Sequence, residues 1–159
     1  MTPIVSLGLT AHLFVRGADD AVRFYSTAFG ASELFRNALP DGRVLFIELA
    51  VGPGRLLISE ETPSLGALAP ESIGGTPVLL LLELDDPDEA ARRAIAAGAT
   101  EEMPVQEMFW GERYGTVRDP FGHRWALSTA RQEYTPDDIA SHTPPEAAFD
   151  SDIWGSSAG

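Results

Sequence analysis

Three aromatic residues flank a glycine in the segment Met108-Phe109-Trp110-Gly111-Glu112-Arg113-Tyr114. Large rings provide flat contact area and lose little conformational entropy when they are ordered. Phe109, Trp110 and Tyr114 are therefore candidates for a wall on which a planar ligand stacks. The same composition is also typical of aromatic residues in a dimer interface or a core, and both interpretations stay open at this point.

Two polar residues lie in strongly apolar strand patterns. His12 precedes Leu13 and Phe14, and a neutral imidazole suits a pocket of mixed polarity. Glu48 follows Phe46 and Ile47, and a carboxylate among apolar side chains needs a partner, water or a raised pKa. We therefore expect Glu48 to receive a cationic ligand or to pair with an arginine such as Arg124.

Alternation along the strand near residue 126 sorts its neighbours between the two faces. If Ala126 faces a cleft, Arg124 and Ser128 face it too, and Trp125 points into the helix-packed core. Phe14 and Phe46 alternate in phase with His12 and Glu48 and complete the candidate cleft lining. His123, in the turn Asp119-Pro120-Phe121-Gly122-His123, is predicted to be structural, and Glu101 and Glu102 are predicted to be solvated helix-end charges.

The first half of the chain contains the elements that must position these residues. Ala11 to Val15 has the pattern of a strand, and Asp19 or Asp20 is a candidate N-cap of a helix that closes at Gly30. Two further strands, residues 43–51 and 55–59, meet at Gly52-Pro53-Gly54, which is a hairpin signal.

The second half repeats this order. A strand is predicted over residues 78–84, a helix start at Asp85-Asp86-Pro87-Asp88, and a helix over residues 89–97 that closes at Gly98. Equivalent positions are 68 or 69 residues apart at three points of the repeat. This spacing indicates two tandem βαβββ units: residues 1–61, and residues 78–130 after a linker or possible lid over residues 62–77.

The C-terminal extension, residues 131–159, is polar and rich in Pro, Ser and Asp. It contains a capped helical turn at Thr135-Pro136-Asp137-Asp138 and a late Trp154. We expect the extension to pack on its own domain or on a partner subunit.

Composition narrows the classes of partner. All eleven basic residues are arginines and the formal net charge is −13, which argues against nucleic acid, because phosphate binding needs clustered positive charge. An acidic field favours cationic ligands but also simply confers solubility. The chain has no cysteine and no apolar run near the ~20 residues of a membrane span, so we expect a cytoplasmic protein without a membrane anchor.

The stretches His12 to Ala31 and Arg118 to Thr129, HLFVRGADDAVRFYSTAFGA and RDPFGHRWALST, together with the repeated βαβββ order, resemble the vicinal oxygen chelate superfamily of glyoxalases, bleomycin resistance proteins and dioxygenases. Among its members they are most similar to the PhnB-like branch. The resemblance covers roughly residues 8–130 and implies an α+β fold in which two units form curved sheets around a cleft. It also implies a homodimer.

Active members of this superfamily hold a divalent metal through four residues, which the resemblance places at Thr10, Glu48, Leu79 and Ala126. Of these four residues only Glu48 could bind a metal, since Thr10 is unsuitable and Leu79 and Ala126 have no donor atom. A catalytic metal needs at least three protein ligands and an open position. His12, Glu48 and Glu83 form a weaker alternative set. We therefore expect no cofactor and assign no catalytic residue.

Three functions remain. The favoured one is a metal-free protein that sequesters a bulky aromatic or cationic compound, as drug-binding resistance proteins of the superfamily do. In this hypothesis Phe14, Phe46, Phe109, Trp110 and Tyr114 stack on the ligand, and His12, Glu48, Arg124 and Ser128 supply polar contacts. The first alternative is an enzyme: a lyase, isomerase or dioxygenase with an atypical metal set, or a metal-free acid-base catalyst that uses His12 and Glu48. The second alternative is a ligand-free interaction module, in which Trp154 would fill the cleft.

Overall fold

The structure is a computed structural model that describes residues 8–130 and 135–145. The chain divides into two compact units, Met1–Gly74 and Gly75–Gly159. Each unit has one principal helix beside a four-stranded mixed sheet, in the order β-α-β-β-β. The predicted α+β class with tandem βαβββ units is confirmed.

The first unit pairs its strands in the order β1-β4-β3-β2, with β1 parallel to β4 and the other pairs antiparallel. Because consecutive residues of a strand point to opposite faces, Leu13 and Val15 of β1 are buried on one face and His12 and Phe14 lie on the other. The elements are β1 Ala11–Val15, α1 Ala18–Phe29, β2 Ser32–Ala38, β3 Val44–Val51 and β4 Gly54–Glu60.

The start of α1 differs from the prediction. Neither Asp19 nor Asp20 caps the helix; the N-cap is Gly17, and no side chain of the N-cap bonds the first turn. The carboxylate of Glu60, at the end of β4, accepts instead from the backbone N–H groups of Gly17 at 3.1 Å and Ala18 at 2.5 Å. A carboxylate brought by a neighbouring strand therefore satisfies donors that the sequence pattern assigned to a local cap.

The C-terminal end of α1 and its buried face agree with the sequence-based prediction. Gly30 closes the helix in the left-handed conformation with φ 68°, as predicted. The helix buries Phe24, Tyr25 and Phe29, whose rings lie within contact distance of each other.

The predicted linker, residues 62–77, contains two short helical segments. Residues 63–65 form a 3-10 turn, and Pro70–Ile73 form a short helix, α2. Glu61 fixes α2 to the first unit, since its carboxylate accepts from Arg16 Nε at 2.6 Å, Ser72 Oγ at 2.5 Å and the backbone N–H of Ala69 at 3.0 Å.

The second unit repeats the topology, with strand order β5-β8-β7-β6 and β5 parallel to β8. Its helix α3 begins as predicted, because the side chain of Asp86 accepts from the backbone N–H of Glu89 at 3.0 Å and Pro87 occupies the first helical turn. The elements are β5 Leu79–Glu83, α3 Pro87–Ala96, β6 Thr100–Glu107, β7 Arg113–Arg118, β8 Arg124–Ser128 and, in the extension, α4 Pro136–His142.

Strands β6 and β7 approach closely at Gly115. A Cβ atom at that position would lie 2.7 Å from the backbone nitrogen of Val105 and 2.8 Å from its Cα. The register of β6 shifts between Met103 and Gln106, and Pro104, which has no N–H to donate to the ladder, lies within the shift. Glycine at residue 115 is therefore a packing requirement of this hairpin.

The turn between β7 and β8 is organised by Asp119, which is 4% exposed. Its carboxylate accepts from the backbone N–H groups of Phe121 and His123, each at 2.9 Å, and from the indole N–H of Trp125 at 2.9 Å. Trp125 is buried, as strand parity predicted.

The extension contains the predicted capped turn. Thr135 and Asp138 form a reciprocal capping box at the start of α4. Residues 131–134 and 146–159, which include Trp154, lie outside the described residues. Within the described part of the chain no helix is long and apolar enough to cross a membrane.

Candidate functional site

The aromatic segment forms a tight turn between β6 and β7. Met108 donates its backbone N–H to the carbonyl of Glu112 at 2.9 Å, and Gly111 donates to the carbonyl of Met108 at 2.9 Å. Gly111 has φ 88°, a conformation that a side chain would strain. The turn therefore holds the intervening Phe109 and Trp110 in a fixed backbone geometry.

The three predicted aromatic residues meet at this turn, which we call the aromatic corner (Phe109, Trp110 and Tyr114). The ring centroids of Phe109 and Trp110 are 4.8 Å apart with an interplanar angle of 88°, and those of Trp110 and Tyr114 are 5.7 Å apart at 75°. Both pairs have the edge-to-face geometry that aromatic quadrupoles favour. Burial raises the pKa of the Tyr114 phenol, partly opposed by the positive charge of Arg124, so the phenol stays protonated at neutral pH.

A carboxylate that the sequence did not single out completes the corner. Trp110 Nε1 donates to Glu112 Oε2 at 3.1 Å, and the Ser128 hydroxyl lies 3.4 Å from the same oxygen while it donates to the Thr129 carbonyl at 3.0 Å. Glu112 is half-buried. The corner therefore combines π-faces with a negative charge, which are two features that bind organic cations.

A pocket of about 350 Å³ adjoins the aromatic corner. One wall is the turn itself and the other is α4 of the C-terminal extension. This volume falls in the range of small-molecule sites. The lining residues are Glu107, Met108, Phe109, Trp110, Gly111, Asp138, Ile139 and His142.

Arg124 has a different partner from the one expected. Its Nε donates to Glu102 Oε2 at 2.7 Å, and Arg118 also bonds the Glu102 carboxylate. Glu102 was expected to be a solvated helix-end charge, but it lies in β6 between two arginines. Although burial opposes ionisation, the hydrogen bonds from Arg124 and Arg118 keep its pKa below the ordinary value.

His12 lies on the face of the first sheet opposite α1. Its Nε2 is 2.7 Å from the hydroxyl of Ser59, and its ring lies 4.6 Å from that of Phe14 with an interplanar angle of 32°. Burial lowers the pKa of His12, so the imidazole is neutral at neutral pH. Ser59 was not identified from the sequence, although its alternation with Leu57 on β4 is the signal that could have found it.

Phe46 and Glu48 share that face. Phe46 packs against Phe35 of β2 with 5.8 Å between ring centroids, and Glu48 is cross-strand from Phe35. Glu48 pairs with Arg55 of β4 at 2.6 Å. The expectation of an arginine partner is met, but the partner is Arg55 and not Arg124, because β3 and β4 are adjacent in the same sheet.

The residues at the expected metal positions do not fit a divalent ion. Leu79 and Ala126 offer no donor, and the Glu48 carboxylate is engaged by Arg55. In the alternative set His12 and Glu48 belong to the first unit and Glu83 to the second. No group of three or more His, Asp or Glu side chains that could hold a metal ion is present among residues 8–130 and 135–145.

The sequence of the two repeated units matches a known protein family. Residues 6–127 match the model of the Glyoxalase/Bleomycin resistance protein/Dioxygenase superfamily, so the chain belongs to this superfamily. The match ends before α4, whose residues form one wall of the pocket.

Similar proteins have been found in several bacteria. An uncharacterized protein of Mycobacterium bovis is 38% identical over 138 residues, which cover 85% of this chain and 91% of the relative. The crystal structure of TioX from Micromonospora sp. ML1 is 28% identical with a TM-score of 0.63, covering 79% of this chain and all of TioX (100%). A bleomycin resistance determinant encoded on the transposon Tn5 is 22% identical with a TM-score of 0.58, covering 80% of this chain and 100% of that one, and shows likeness of fold alone.

Proposed function

We propose that this chain is a metal-free binding protein that sequesters a bulky aromatic or cationic small molecule, and that it acts as a homodimer in the cytoplasm. The observation that carries the proposal is the aromatic corner beside the pocket of about 350 Å³. Binding without catalysis is favoured over the metal-dependent alternative because two of the four expected metal positions have no donor side chain.

Aromatic contact is the first part of the proposal. Trp110 is the central ring of the corner, in contact with both Phe109 and Tyr114. Its indole N–H is held by Glu112, so the ring is ordered before any ligand arrives. Preorganised rings bind planar molecules with a smaller entropic cost than mobile ones.

The negative charge of the chain supports the binding of a cationic ligand. The formal net charge of −13 attracts cations at long range, and Glu112 places one negative charge at the corner itself. The pocket wall itself carries two carboxylates, those of Glu107 and Asp138. A planar cation therefore meets both a π-face and an acidic group, as in the sites that recognise organic ammonium ions.

Replacement of Trp110 by alanine tests the proposal. The probe is bleomycin together with a small panel of planar aromatic cationic antibiotics, and binding is measured by calorimetry with purified protein. We expect at least one compound to bind wild type, and Trp110→Ala to weaken it by about tenfold or more, as expected for loss of an aromatic stacking contact.

The matched control is Leu65→Ala, which truncates a large apolar side chain that is 82% exposed in the first unit. This variant should bind like wild type. A compound that binds wild type and Trp110→Ala equally well contradicts the stacking role. Failure of the whole panel to bind wild type contradicts the ligand class.

A further inference from the structure

The hydroxyl of Ser59 has one hydrogen and two neighbours. Its Oγ lies 2.7 Å from the carbonyl oxygen of Leu45 and 2.7 Å from Nε2 of His12. A carbonyl only accepts, so the hydroxyl hydrogen is directed to Leu45. The contact with His12 is then a hydrogen bond only if the imidazole is the donor.

This requirement fixes the tautomer of His12. The imidazole is neutral, since burial lowers its pKa, and a neutral imidazole carries one ring hydrogen. That hydrogen lies on Nε2, so Nδ1 keeps its lone pair. Within the described residues no hydrogen bond reaches Nδ1.

The residues around His12 indicate which kind of ligand could donate a hydrogen bond to Nδ1. The ring of Phe14 is tilted against the imidazole, with 4.6 Å between centroids, and Leu57 lies cross-strand from His12. The charged residues of the adjacent strands on this face, Glu48 and Arg55, are paired with each other. The described residues around the exposed imidazole therefore form a largely apolar surface, on which Nδ1 is an acceptor that receives no hydrogen bond from them.

We propose that Ser59 holds His12 in the Nε2–H tautomer, so that Nδ1 accepts a hydrogen bond from an N–H or O–H group on the edge of an aromatic ligand. Ser59 is then a positioning residue and His12 a specificity-determining one. The inference rests on the proposed function only for the class of ligand, an aromatic molecule, whereas the tautomer is a property of the first unit in the unliganded protein.

The tautomer is measured by ¹⁵N NMR of the imidazole groups at neutral pH, with the His12 signals assigned from a His12→Gln variant. We expect wild type to show a protonated Nε2 and a lone pair on Nδ1. In Ser59→Ala, which removes the acceptor, the two tautomers should exchange. A protonated Nδ1 in wild type, or the same spectrum in Ser59→Ala, would overturn the proposal even if the protein sequesters aromatic compounds.

Ligand preference is measured with indole and 1-methylindole, which differ in a single N–H donor. We expect indole to shift the His12 Nδ1 resonance and to bind about fivefold more tightly, the effect of one neutral hydrogen bond. The preference should disappear in His12→Phe, which keeps an aromatic ring but has no acceptor. Equal affinities for the two probes, or no binding of either, would overturn the role of His12, while the calorimetry on Trp110→Ala decides the proposed function separately.

Discussion

The indole N–H of Trp110 donates to the carboxylate of Glu112 at 3.1 Å. The two residues are separated only by Gly111, whose positive φ makes the turn tight enough for this contact. One side chain therefore orders the central ring of the aromatic corner and also supplies its negative charge. Substitution of Glu112 separates these two effects.

Glu112→Gln keeps an oxygen that accepts from Trp110 but removes the charge. We expect a cationic aromatic compound to bind about five- to tenfold more weakly, in line with the loss of one partly exposed charge contact. A neutral aromatic compound should bind as it does to wild type. Calorimetry with one compound of each kind checks this, and an equal loss for both would mean that the charge has no role in selection.

Gly115→Ala should destabilise the second unit by about 1–3 kcal/mol, because the added methyl group meets the backbone of Val105. The matched control is Gly54→Ala, where the new Cβ would lie at an ordinary 3.4 Å from the nearest atom, the Val51 carbonyl oxygen. That variant should change the free energy of unfolding by no more than about 0.5 kcal/mol. Urea unfolding of both variants measures the difference, and equal stabilities would contradict the close approach of β6 and β7.

Asp119→Ala removes the acceptor of three N–H groups, including the buried indole of Trp125. Buried donors without a partner are costly, and we expect a loss of about 3 kcal/mol in the free energy of unfolding. Asp41→Ala is the control, since Asp41 is exposed and, among the described residues, its carboxylate bonds only Arg43 in the turn between β2 and β3. A small effect at Asp119, comparable to that at Asp41, would show that the turn does not depend on this carboxylate.

The acid stability of the first unit should depend on Glu61. Hydrogen bonds from Ser72, the Ala69 backbone and Arg16 lower the pKa of Glu61 from 4.5 to about 2. A carboxyl group with a lowered pKa in the folded state contributes stability above pH 4.5, and this contribution is lost as the pH falls toward 2. Thermal unfolding between pH 6 and pH 3 should therefore decline less steeply in Glu61→Gln than in wild type, and parallel profiles would contradict the assigned contacts.

The sequence was sufficient for the elements that rest on local patterns. Alternation predicted β1 and the burial of Trp125, and Gly30 and Asp86 marked helix ends because their conformational and capping preferences act within a few residues. The capping box of α4 was found for the same reason. Each of these features is decided by residues close to one another in the chain.

Contacts between distant residues were not predicted correctly. Glu60 replaced the local cap of α1, Arg55 replaced Arg124 as the partner of Glu48, and Glu102 was placed between two arginines. Each pairing depends on which strands are adjacent and on their register, and single-residue patterns do not contain that information. The pocket wall formed by α4 was not predicted for the same reason. The sequence indicated the capped turn at the start of α4, but it did not indicate that residues of the aromatic corner form the other wall.

Native mass spectrometry distinguishes metal-free capture of an aromatic or cationic molecule from metal-dependent catalysis. The purified protein is measured alone, with added Zn, Ni, Fe or Mn, and with aromatic cationic antibiotics including bleomycin. We predict a metal-free dimer that gains one or two drug masses. A stoichiometric divalent metal that survives desalting, with no drug mass gained, would rule out metal-free capture and favour a metal-dependent enzyme.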